Sequence, residues 1–432
     1  MAKQGIVHRL YQFVACTVLL LALPLGVAHA NEPVTITIGY YESSGGLGQT
    51  GQTMEALIRE FMELNPHITV NTTVAPYGAF FQRLPVELAA GVGPDVWLSD
   101  GVLIDQYAAQ GFALDLTDLI ERDLDPAEYF GIEDNRDPEG RVWAFPQGLQ
   151  SSAFFYNEEM FQAAGIDFPT PDFTYDDLRT VARRLTLDKD GDGITDQYGF
   201  RAANHVTEGW FPVLKAFGGG ALDENWRNSL FNTPESLAAL QLLVDMIHID
   251  GSSPAPGQHG SHFNWFPNGI VAMQFGLYVR TYAANQAPFE YNVTHMPTGP
   301  AGKSNPVIVN SWIINSRSSA EKQQAAWEWV KFFAGERAQT VWAELGEAVP
   351  INRQVAVNTF IASTEPPAGR MTFIEGLAYS TPLDPNAVWS DWVNAATQAL
   401  DPAFRGQLSV AQAALDAHQR VQVLLDEFYG GE

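Results

Sequence analysis

Polar and aromatic side chains follow two apolar, strand-like segments at the points where those segments end. Tyr40, Tyr41 and Glu42 end the first segment, and Asp100 follows the end of a later one. In open α/β sheets, ligands bind beyond the carboxyl ends of the strands. The two segment ends therefore predict a ligand site at one sheet edge, where carboxylates and ring hydroxyls can form hydrogen bonds.

Aromatic rings are numerous, and several stand beside turns rather than in apolar stripes. The chain has 11 Trp, 14 Tyr and 26 Phe. The rings beside turns are those of Trp210, Trp265, Tyr278, Trp312, Trp389 and Trp392. An aromatic face beside carboxylates and amides suits a carbohydrate, because C–H groups pack on the ring while hydroxyls bond to the polar groups. Core packing is the alternative for each single ring, but taken together the rings favour a carbohydrate site.

An acidic turn rich in glycine matches the start of a calcium-binding loop. Asp188, Asp190, Asp192 and Asp196 have the expected spacing, but position twelve is Gly199 instead of the bidentate Glu, which excludes a complete EF-hand. A tight hairpin turn is the alternative, because Asp and Gly tolerate left-handed backbone. We favour the hairpin over a structural calcium site.

Motifs of common enzyme classes are absent from the sequence. The chain has no Gly-x-Ser-x-Gly elbow, no His-Glu-x-x-His motif and no P-loop. His259 and His262 form an isolated pair, and a zinc site needs more ligands. Carboxylate pairs occur in any chain with 50 acids, so a glycosidase stays open as an alternative. We predict no catalytic residue, no metal site and no cofactor.

Residues 1–30 have the pattern of a cleaved signal peptide. Lys3 and Arg9 form a basic start, an apolar run follows, and residues 28–30 (AHA) form a small-x-small cleavage site. A retained signal anchor is the alternative. Cleavage would remove the only cysteine, Cys16, which would exclude disulfides and thiol catalysis in the mature chain.

The composition is that of an acidic, globular, exported protein. The 432 residues suffice for two or more domains, and the net charge is −26. Cleavage would leave −28, because it removes two basic residues and no acid. Such a charge disfavours nucleic acid and anionic membranes. We predict a periplasmic monomer that binds neither.

Alternating strand and helix patterns predict an α/β fold of the open type. Residues 34–40 and 68–74 alternate as strands, and the apolar spacing from Met54 to Met62 predicts a helix between them. This order is a βαβ unit. Residues 102–124 also have a helical pattern, interrupted at Gly111. Further helices are predicted at about 80–90, 157–164, 175–187, 233–250, 319–334, 335–345 and, as one or two helices, 391–429.

Residues 141–166 have the features of a connection between two lobes. Pro146 and Gly148 separate two apolar runs, and this predicts a chain crossing rather than the interior of an element. We expect the crossing to line a cleft between the lobes. Gln147 and Gln150 are then predicted ligand contacts.

Six segments of the chain occur in the order found in one protein family. They are residues 61–66, 89–96, 145–165, 266–273, 325–332 and 349–352. Each is weak alone, and FYNEEMFQAAG at 155–165 is the most specific. In this order they resemble the extracellular solute-binding proteins of ABC transporters, in the sugar-binding group that includes maltose- and glycerol-phosphate-binding proteins. The resemblance covers nearly the whole mature chain.

The resemblance implies a two-lobe clamp of the type II periplasmic class. Each lobe is expected to be an α/β domain, and about three hinge crossings are expected to join them. The first lobe would comprise 31–145 and about 310–352, and the second 146–309 and about 353–432. A sugar would bind between the lobes, and the closed clamp would deliver it to a membrane permease.

The resemblance also implies where the ligand binds. The implied contacts are Tyr40, Tyr41, Glu42, Asp100, Trp210, Gly276, Tyr278, Asn310, Ser311 and Trp312. Asn310 stands where relatives often have Gly, so the ligand can differ from the commoner sugars of the family. Acids and aromatics at these positions favour a neutral sugar over a phosphate. A secreted glycosidase, a polyol-phosphate-binding protein and a receptor partner of a sensor kinase stay open as alternatives.

Overall fold

The computed structural model describes residues 33–42 and 49–430. The predicted signal peptide and the glycine-containing segment 43–48 lie outside these residues. The strands are β1 (Val34–Glu42), β2 (Ile68–Pro76), β3 (Val96–Ser99), β4 (Phe145–Asn157), β5 (Tyr198–Phe200), β6 (Val271–Leu277), β7 (Tyr291–Thr294), β8 (Asn305–Ile314) and β9 (Ser380–Thr381). Helices lie between these strands and after them, so the fold is of the α/β class that the sequence predicts.

The described residues form fifteen α-helices, twelve of six residues or more and three of five or fewer. The longer ones are α1 (Gln49–Leu64), α2 (Tyr77–Ala89), α3 (Ile104–Ala109), α4 (Thr117–Asp123), α5 (Glu158–Ala163), α6 (Tyr175–Arg184), α7 (Phe211–Ala216), α8 (Pro234–His248), α10 (Ala320–Ala334), α11 (Glu336–Leu345), α14 (Trp389–Phe404) and α15 (Val410–Tyr429). The shorter ones are α9 (Arg280–Ala284), α12 (Arg353–Val355) and α13 (Thr372–Glu375). Two short turns also matter for the site: the 3₁₀ turn Gly101–Leu103 and the π-helical turn Val206–Trp210.

The strands join into one path of hydrogen-bonded neighbours. Its order is β2-β1-β3-β8-β4-β6-β5, with β7 beside β4 and β9 beside β8. Strand β1 is parallel to β2 and β3, whereas β8 is antiparallel to β3 and β4. We call the part built on β1–β3 the first lobe and the part built on β5–β7 the second lobe.

Strand β4 crosses from one lobe to the other. Its first half pairs with β8 from Phe145 to Ser151, and its second half pairs with β6 from Ser152 to Tyr156. The interpretation of Pro146–Gly148 as lying outside an element is wrong. Pairing with β8 continues across these residues through a register shift, which accommodates a proline without breaking the strand.

The predicted βαβ unit is observed in the first lobe. β1 and β2 pair in parallel, and Met54, Leu57 and Phe61 of α1 are buried as their spacing predicts. The predicted helical region 102–124 contains two short helices, α3 and α4. Helix α3 ends because Gly111, with φ +69°, adopts the left-handed conformation. In the described part of the chain, no helix combines the length and apolar character needed to cross a membrane.

Candidate ligand-binding cavity

A cavity of about 380 Å³ lies between the two lobes. Strands β4 and β8 supply Gln147, Gln150 and Asn310 to its lining. The first lobe adds Tyr41, Thr50, Tyr77, Leu98, Asp100 and Val102, and the second adds His205, Val206, Thr207, Phe263, Leu277, Val279, Arg280 and Trp389. Ile308, Trp342 and Glu347 complete the lining. This volume lies at the lower end of the range of about 300–1,000 Å³ for small-molecule sites.

Gln150 connects the two sides of this cavity. Its Nε2 donates to the backbone oxygen of Glu347 at 2.6 Å. Its Oε1 accepts from the backbone nitrogen of Val279 at 3.0 Å. The amide thus ties the loop after α11 to the segment before α9, and this arrangement fixes both edges of the cavity relative to β4.

Asp100 is the buried carboxylate of the first-lobe wall. It follows β3 and caps the turn Gly101–Leu103, with Oδ1 accepting from the nitrogen of Val102 at 3.3 Å. Oδ2 accepts from the hydroxyl of Tyr77 at 2.7 Å. Burial raises the pKa of Asp100 above its ordinary value, although both hydrogen bonds lower it. The wall therefore places a fixed carboxylate acceptor beside the cavity.

Glu208 holds two arginines at the second-lobe wall. Its Oε2 accepts from Arg201 Nη2 at 2.9 Å, and its Oε1 accepts from Arg280 Nε at 2.7 Å. The side chains of Glu208 and Arg201 are fully buried. Burial alone would raise the pKa of Glu208, but the charges of Arg280 and Arg201 lower it to about 2. The carboxylate therefore stays ionised at neutral pH and fixes Arg280.

Arg280 lines the cavity from the second lobe and packs on an aromatic ring. Its guanidinium carbon lies 4.0 Å from the centroid of the Phe263 ring, a cation–π contact. Within the described residues, only Nε of this guanidinium has a hydrogen-bond partner. Nη1 and Nη2 are therefore available as a pair of donors, a geometry suited to two neighbouring oxygen atoms of a ligand.

His205 lines the same wall as a neutral ring. Burial lowers its pKa to about 4, so the imidazole carries no charge at neutral pH. Its Nδ1 accepts from the backbone nitrogen of Glu208 at 3.3 Å, which places the ring proton on Nε2. His205 therefore adds a neutral N–H donor to the lining.

Three lining residues carry buried polar atoms that lack hydrogen-bond partners among the described residues. They are the donors Gln147 Nε2 and Trp342 Nε1 and the acceptor Asn310 Oδ1. Buried polar groups are nearly always hydrogen-bonded in folded proteins, and one left unpaired costs about 1–3 kcal/mol. Unpaired indole nitrogens also lie in the described core, for example in Trp97 and Trp329, so these atoms alone do not identify a ligand site.

The sequence matches the model of one known protein family. A family model described as a bacterial extracellular solute-binding protein matches residues 44–340. The chain belongs to this family. The predicted family is confirmed, and its members are binding proteins rather than enzymes.

Relatives and solved structures agree with this assignment. A binding protein of Brucella abortus (strain 2308) is 23% identical over 410 residues, covering 92% of this chain and 94% of the relative. The erythritol/L-threitol-binding protein of Mycolicibacterium smegmatis is 24% identical over 353 residues, covering 72% of this chain and 69% of the relative. An ABC substrate-binding protein from Listeria monocytogenes in complex with cycloalternan superposes with a TM-score of 0.80 at 21% identity, covering 92% of this chain and 99% of that one. The two-lobe α/β fold is thereby confirmed.

Five residues predicted to bind the ligand line the cavity of this solute-binding protein. Tyr41 and Asp100 come from the first-lobe strand ends, and Gln147, Gln150 and Asn310 come from the crossing strands. The structure thus brings together residues up to about 270 positions apart in sequence. Their contact with a ligand stays a prediction.

The other predicted residues do not line the cavity. Within β1, Tyr40 is buried on the opposite face from Tyr41, because side chains alternate along a strand. Glu42 lies beside Gly51 of α1. Trp210 packs on Phe231 in the core of the second lobe. Whether these three contact a ligand stays untested.

On β6, in the segment that follows it and on β8, the cavity is lined by residues close to the predicted ones. The backbone of Gly276 pairs with Ala153, and Tyr278 packs against Phe373, whereas Leu277, Val279 and Arg280 line the cavity. On β8, the hydroxyl of Ser311 bonds to Val309 and Asn135, and Trp312 packs against Trp329. The segments were predicted, but neighbours of the predicted residues line the cavity.

Several lining residues were not predicted from the sequence. Trp389 was among the rings noted beside turns, but Tyr77, His205, Phe263, Arg280, Trp342 and Glu347 carried no such signal. They lie at helix ends and in irregular loops, where sequence patterns do not indicate direction. Only packing between distant elements brings them to the cavity.

The acidic turn forms the predicted hairpin. Leu187 pairs with Gln197 across its base, and the carboxylate of Asp188 accepts from the nitrogens of Gly191 and Gly193. The carboxylates of Asp188, Asp190 and Asp196 are exposed and lie within 4.8 Å of one another, so this group could hold a metal ion. Asp192 accepts from the nitrogen of Ile194.

Replacing the buried carboxylate of Glu208 is expected to destabilise the fold strongly. Glu208→Gln leaves the charges of Arg201 and Arg280 without their counter-charge, so the free energy of unfolding should fall by about 3–5 kcal/mol in urea titrations at pH 7. The matched control is Glu133→Gln, which breaks an exposed pair with Arg136 at 2.7 Å. It should cost less than about 1 kcal/mol. Equal losses in the two variants would contradict the role of Glu208.

The pKa of Glu208 predicts how the stability of the fold depends on pH, and the Glu208→Gln variant tests this. The folded-state pKa of Glu208, about 2, lies below its unfolded value of about 4.3. Ionised Glu208 therefore stabilises the fold above the unfolded value, and this stability is lost as pH falls from about 5 to about 2. Glu208→Gln should lack this part of the acid-induced loss. An unchanged slope in the variant would contradict the assignment.

Proposed function

We propose that this solute-binding protein captures a neutral carbohydrate or polyol in the interlobe cavity. The position of the cavity between the lobes, with Asp100, His205 and Arg280 in its lining, carries the proposal. A hydroxyl group both donates and accepts, so a ligand with several hydroxyls can donate to the carboxylate and accept from the imidazole and the guanidinium. Trp389 adds a ring face at the cavity for C–H groups of the ligand.

The charges of the lining support a neutral ligand over a phosphate. Asp100 and Glu347 contribute two carboxylates, and Arg280 contributes one guanidinium. An anionic ligand would meet two acids for each arginine, whereas hydroxyls can donate to the acids and accept from Arg280. A polyol phosphate is therefore the less favoured alternative.

The names of relatives are compatible with this ligand class. One relative binds erythritol or L-threitol, and one structural neighbour was solved with cycloalternan. The cavity volume of about 380 Å³ supports a ligand of the size of a polyol or a small sugar. We propose this smaller class for the protein.

Export and delivery complete the proposal. We propose that residues 1–30 direct the chain to the periplasm, and that the monomeric protein delivers its ligand to the permease of an ABC importer. The lobes would comprise 31–145 with about 310–352, and 146–309 with about 353–432. Closing these lobes around the ligand would be a population shift toward the state that binds it better. A receptor role without uptake is the alternative.

We also propose that the protein binds without catalysing. Both oxygens of Asp100 are held by structural donors, Tyr77 and Val102, and a carboxylate oxygen of Glu347 accepts from the hydroxyl of Thr50. Neither acid stands free as a general acid or base for hydrolysis. A secreted glycosidase is the alternative that the first experiment addresses.

A thermal-shift screen over sugars, polyols and sugar phosphates tests the ligand class. At least one neutral sugar or polyol should raise the melting temperature, because a ligand at 100 times its Kd adds about 2.7 kcal/mol of stability. The compound should be recovered intact after long incubation. Stabilisation by phosphates alone would contradict the neutral ligand, and release of hydrolysis products would contradict binding without catalysis.

Asn310→Ala should change stability and affinity in opposite directions. Removing the unpartnered Oδ1 takes away a buried unsatisfied acceptor, so the unliganded protein should become more stable by about 1 kcal/mol. Loss of a ligand hydrogen bond should weaken binding about tenfold in calorimetric titrations with the compound found by the screen.

Asn305→Ala on the same strand is the matched control. Its amide bonds to Ser152 and Ser151 at 2.9 and 3.0 Å, so its loss should lower stability and leave affinity unchanged. If Asn310→Ala behaves like Asn305→Ala, the amide of Asn310 does not contact the ligand.

A further inference from the structure

The hydroxyl hydrogens on one side of the interlobe cavity are already used within the protein. The hydroxyl of Tyr77 donates to Asp100 Oδ2 at 2.7 Å, and the hydroxyl of Thr50 donates to Glu347 Oε1. All four residues line the cavity, and we call them the acceptor wall. A hydroxyl has one hydrogen and two lone pairs, so these hydroxyls and carboxylates can only accept hydrogen bonds from a ligand. Tyr77 is 41% exposed, so a ligand can contact this wall.

On the opposite side, the carboxylate of Glu208 accepts only from the protein. Its oxygens accept from Arg201 Nη2, from Arg280 Nε and, at 3.2 Å, from the backbone nitrogen of Leu277. The side chain of Glu208 is fully buried, so a ligand cannot reach it. Among the described residues, the Nη groups of Arg280 have no hydrogen-bond partner, and they remain as donors.

His205 adds a further donor to this side of the cavity. Its Nδ1 accepts from the backbone nitrogen of Glu208 at 3.3 Å and lies 3.2 Å from the hydroxyl oxygen of Thr207. With Nδ1 as an acceptor, the hydrogen of the neutral ring is on Nε2. Arg280 and His205 both line the cavity, and we call these two residues the donor wall.

A ligand can reach the nitrogen atoms of the donor wall. The side chain of Arg280 is 21% exposed. Nη1 and Nη2 of Arg280 and Nε2 of His205 have no hydrogen-bond partner in the part of the chain that the structure describes, and none of them is among its buried unpaired atoms. Each of these nitrogens therefore has accessible surface, on residues that line the cavity.

The charges around the cavity determine which kind of acceptor suits the donor wall. Arg201 and Arg280 share the single carboxylate of Glu208, so one positive charge is left on this side. Asp100 and Glu347 place two carboxylates on the acceptor wall. Two arginines thus face three carboxylates in all, which disfavours a carboxylate on the ligand. A neutral oxygen without a hydrogen, such as the ring oxygen of a sugar, avoids this repulsion.

A hydroxyl of the ligand suits the acceptor wall better than the donor wall. Its oxygen can accept from Arg280 or His205, but its own hydrogen meets no acceptor on either residue. A ring oxygen carries no hydrogen and so leaves none unpaired. Tyr41, Gln147 and Asn310 have groups that donate and accept, so they do not impose an orientation on the ligand.

We propose that the interlobe cavity selects cyclic sugars over open-chain alditols, and that Arg280 and His205 determine this preference. The ring oxygen accepts from the donor wall, and the hydroxyls donate to the acceptor wall. An alditol has a hydroxyl on every carbon, so in the same position it leaves a hydrogen unpaired at the donor wall. The inference rests on the function proposed above and narrows its ligand class to cyclic sugars.

Calorimetric titration of the full chain with matched pairs of an aldose and its alditol tests this proposal. The pairs are glucose with glucitol, mannose with mannitol, xylose with xylitol and ribose with ribitol. Each compound is titrated to about 100 mM, which covers Kd values up to about 10 mM. At least one aldose should bind with a Kd at least about tenfold below that of its alditol, because one unpaired group in a buried site weakens binding by about this factor.

Arg280→Gln separates the effect of the donor wall from that of alditol flexibility. An open chain loses more freedom on binding than a ring does, and this contribution is the same in every variant. The Gln amide supplies an acceptor for a hydroxyl hydrogen, so the ratio of alditol Kd to aldose Kd should fall at least about threefold. Arg317→Gln is the matched control and should leave the ratio unchanged. Arg317 also lies on a ring, 4.3 Å from the centroid of Phe112, but does not line the cavity.

His205→Asn tests the donor wall without changing the ion pairs of Glu208. Asn keeps an acceptor for the backbone nitrogen of Glu208, but its shorter side chain withdraws the N–H donor from the cavity. The ratio should fall at least about twofold. This variant keeps the proposal testable if Arg280→Gln does not fold.

Each contrary outcome has one meaning. If an aldose binds and neither Arg280→Gln nor His205→Asn changes the ratio, the donor wall does not determine the preference, and the inference is overturned while the proposed function stands. The same conclusion follows if the alditols bind as tightly as the aldoses. If no aldose and no alditol binds, the proposed function fails and the inference fails with it.

Discussion

The antiparallel pairing of β4 with β8 is the constraint on which the rest of the structure depends. It runs from Phe145 opposite Trp312 to Ser151 opposite Val307, and beyond it β4 continues into the sheet of the second lobe. Gln147, Gln150 and Asn310 all lie within this paired segment and line the cavity. We propose that the strands that connect the lobes also supply ligand contacts, so that a ligand would touch the elements that bend when the lobes close.

The cavity walls differ in charge, and each wall is fixed before a ligand arrives. Asp100 is held by a tyrosine hydroxyl and a backbone amide, and Arg280 is held by Glu208 and the Phe263 ring. The lining also contains the neutral amides of Gln147 and Asn310. A ligand with hydroxyl groups can donate to the carboxylate of Asp100 and accept from the guanidinium of Arg280.

Sequence patterns predicted the fold better than the site. The βαβ unit was predicted from alternating apolar periods, and the two lobes from six segments in family order. The proline and glycine at 146–148 led to a wrong prediction, because β4 continues across them through a bulge. Tyr41 and Asp100 could be predicted because strand ends meet at one edge. Arg280 and Trp342 could not, because helix packing brings them to the cavity. Trp210 and Trp312 stand near turns but fill the core.

The central claim is that a hydroxylated ligand between the lobes stabilises the closed clamp. Small-angle X-ray scattering of the protein with and without the stabilising sugar or polyol tests it most directly. We expect the radius of gyration to fall on ligand addition, because the ligand favours the closed state. An unchanged radius of gyration with calorimetrically confirmed, saturating ligand would contradict it.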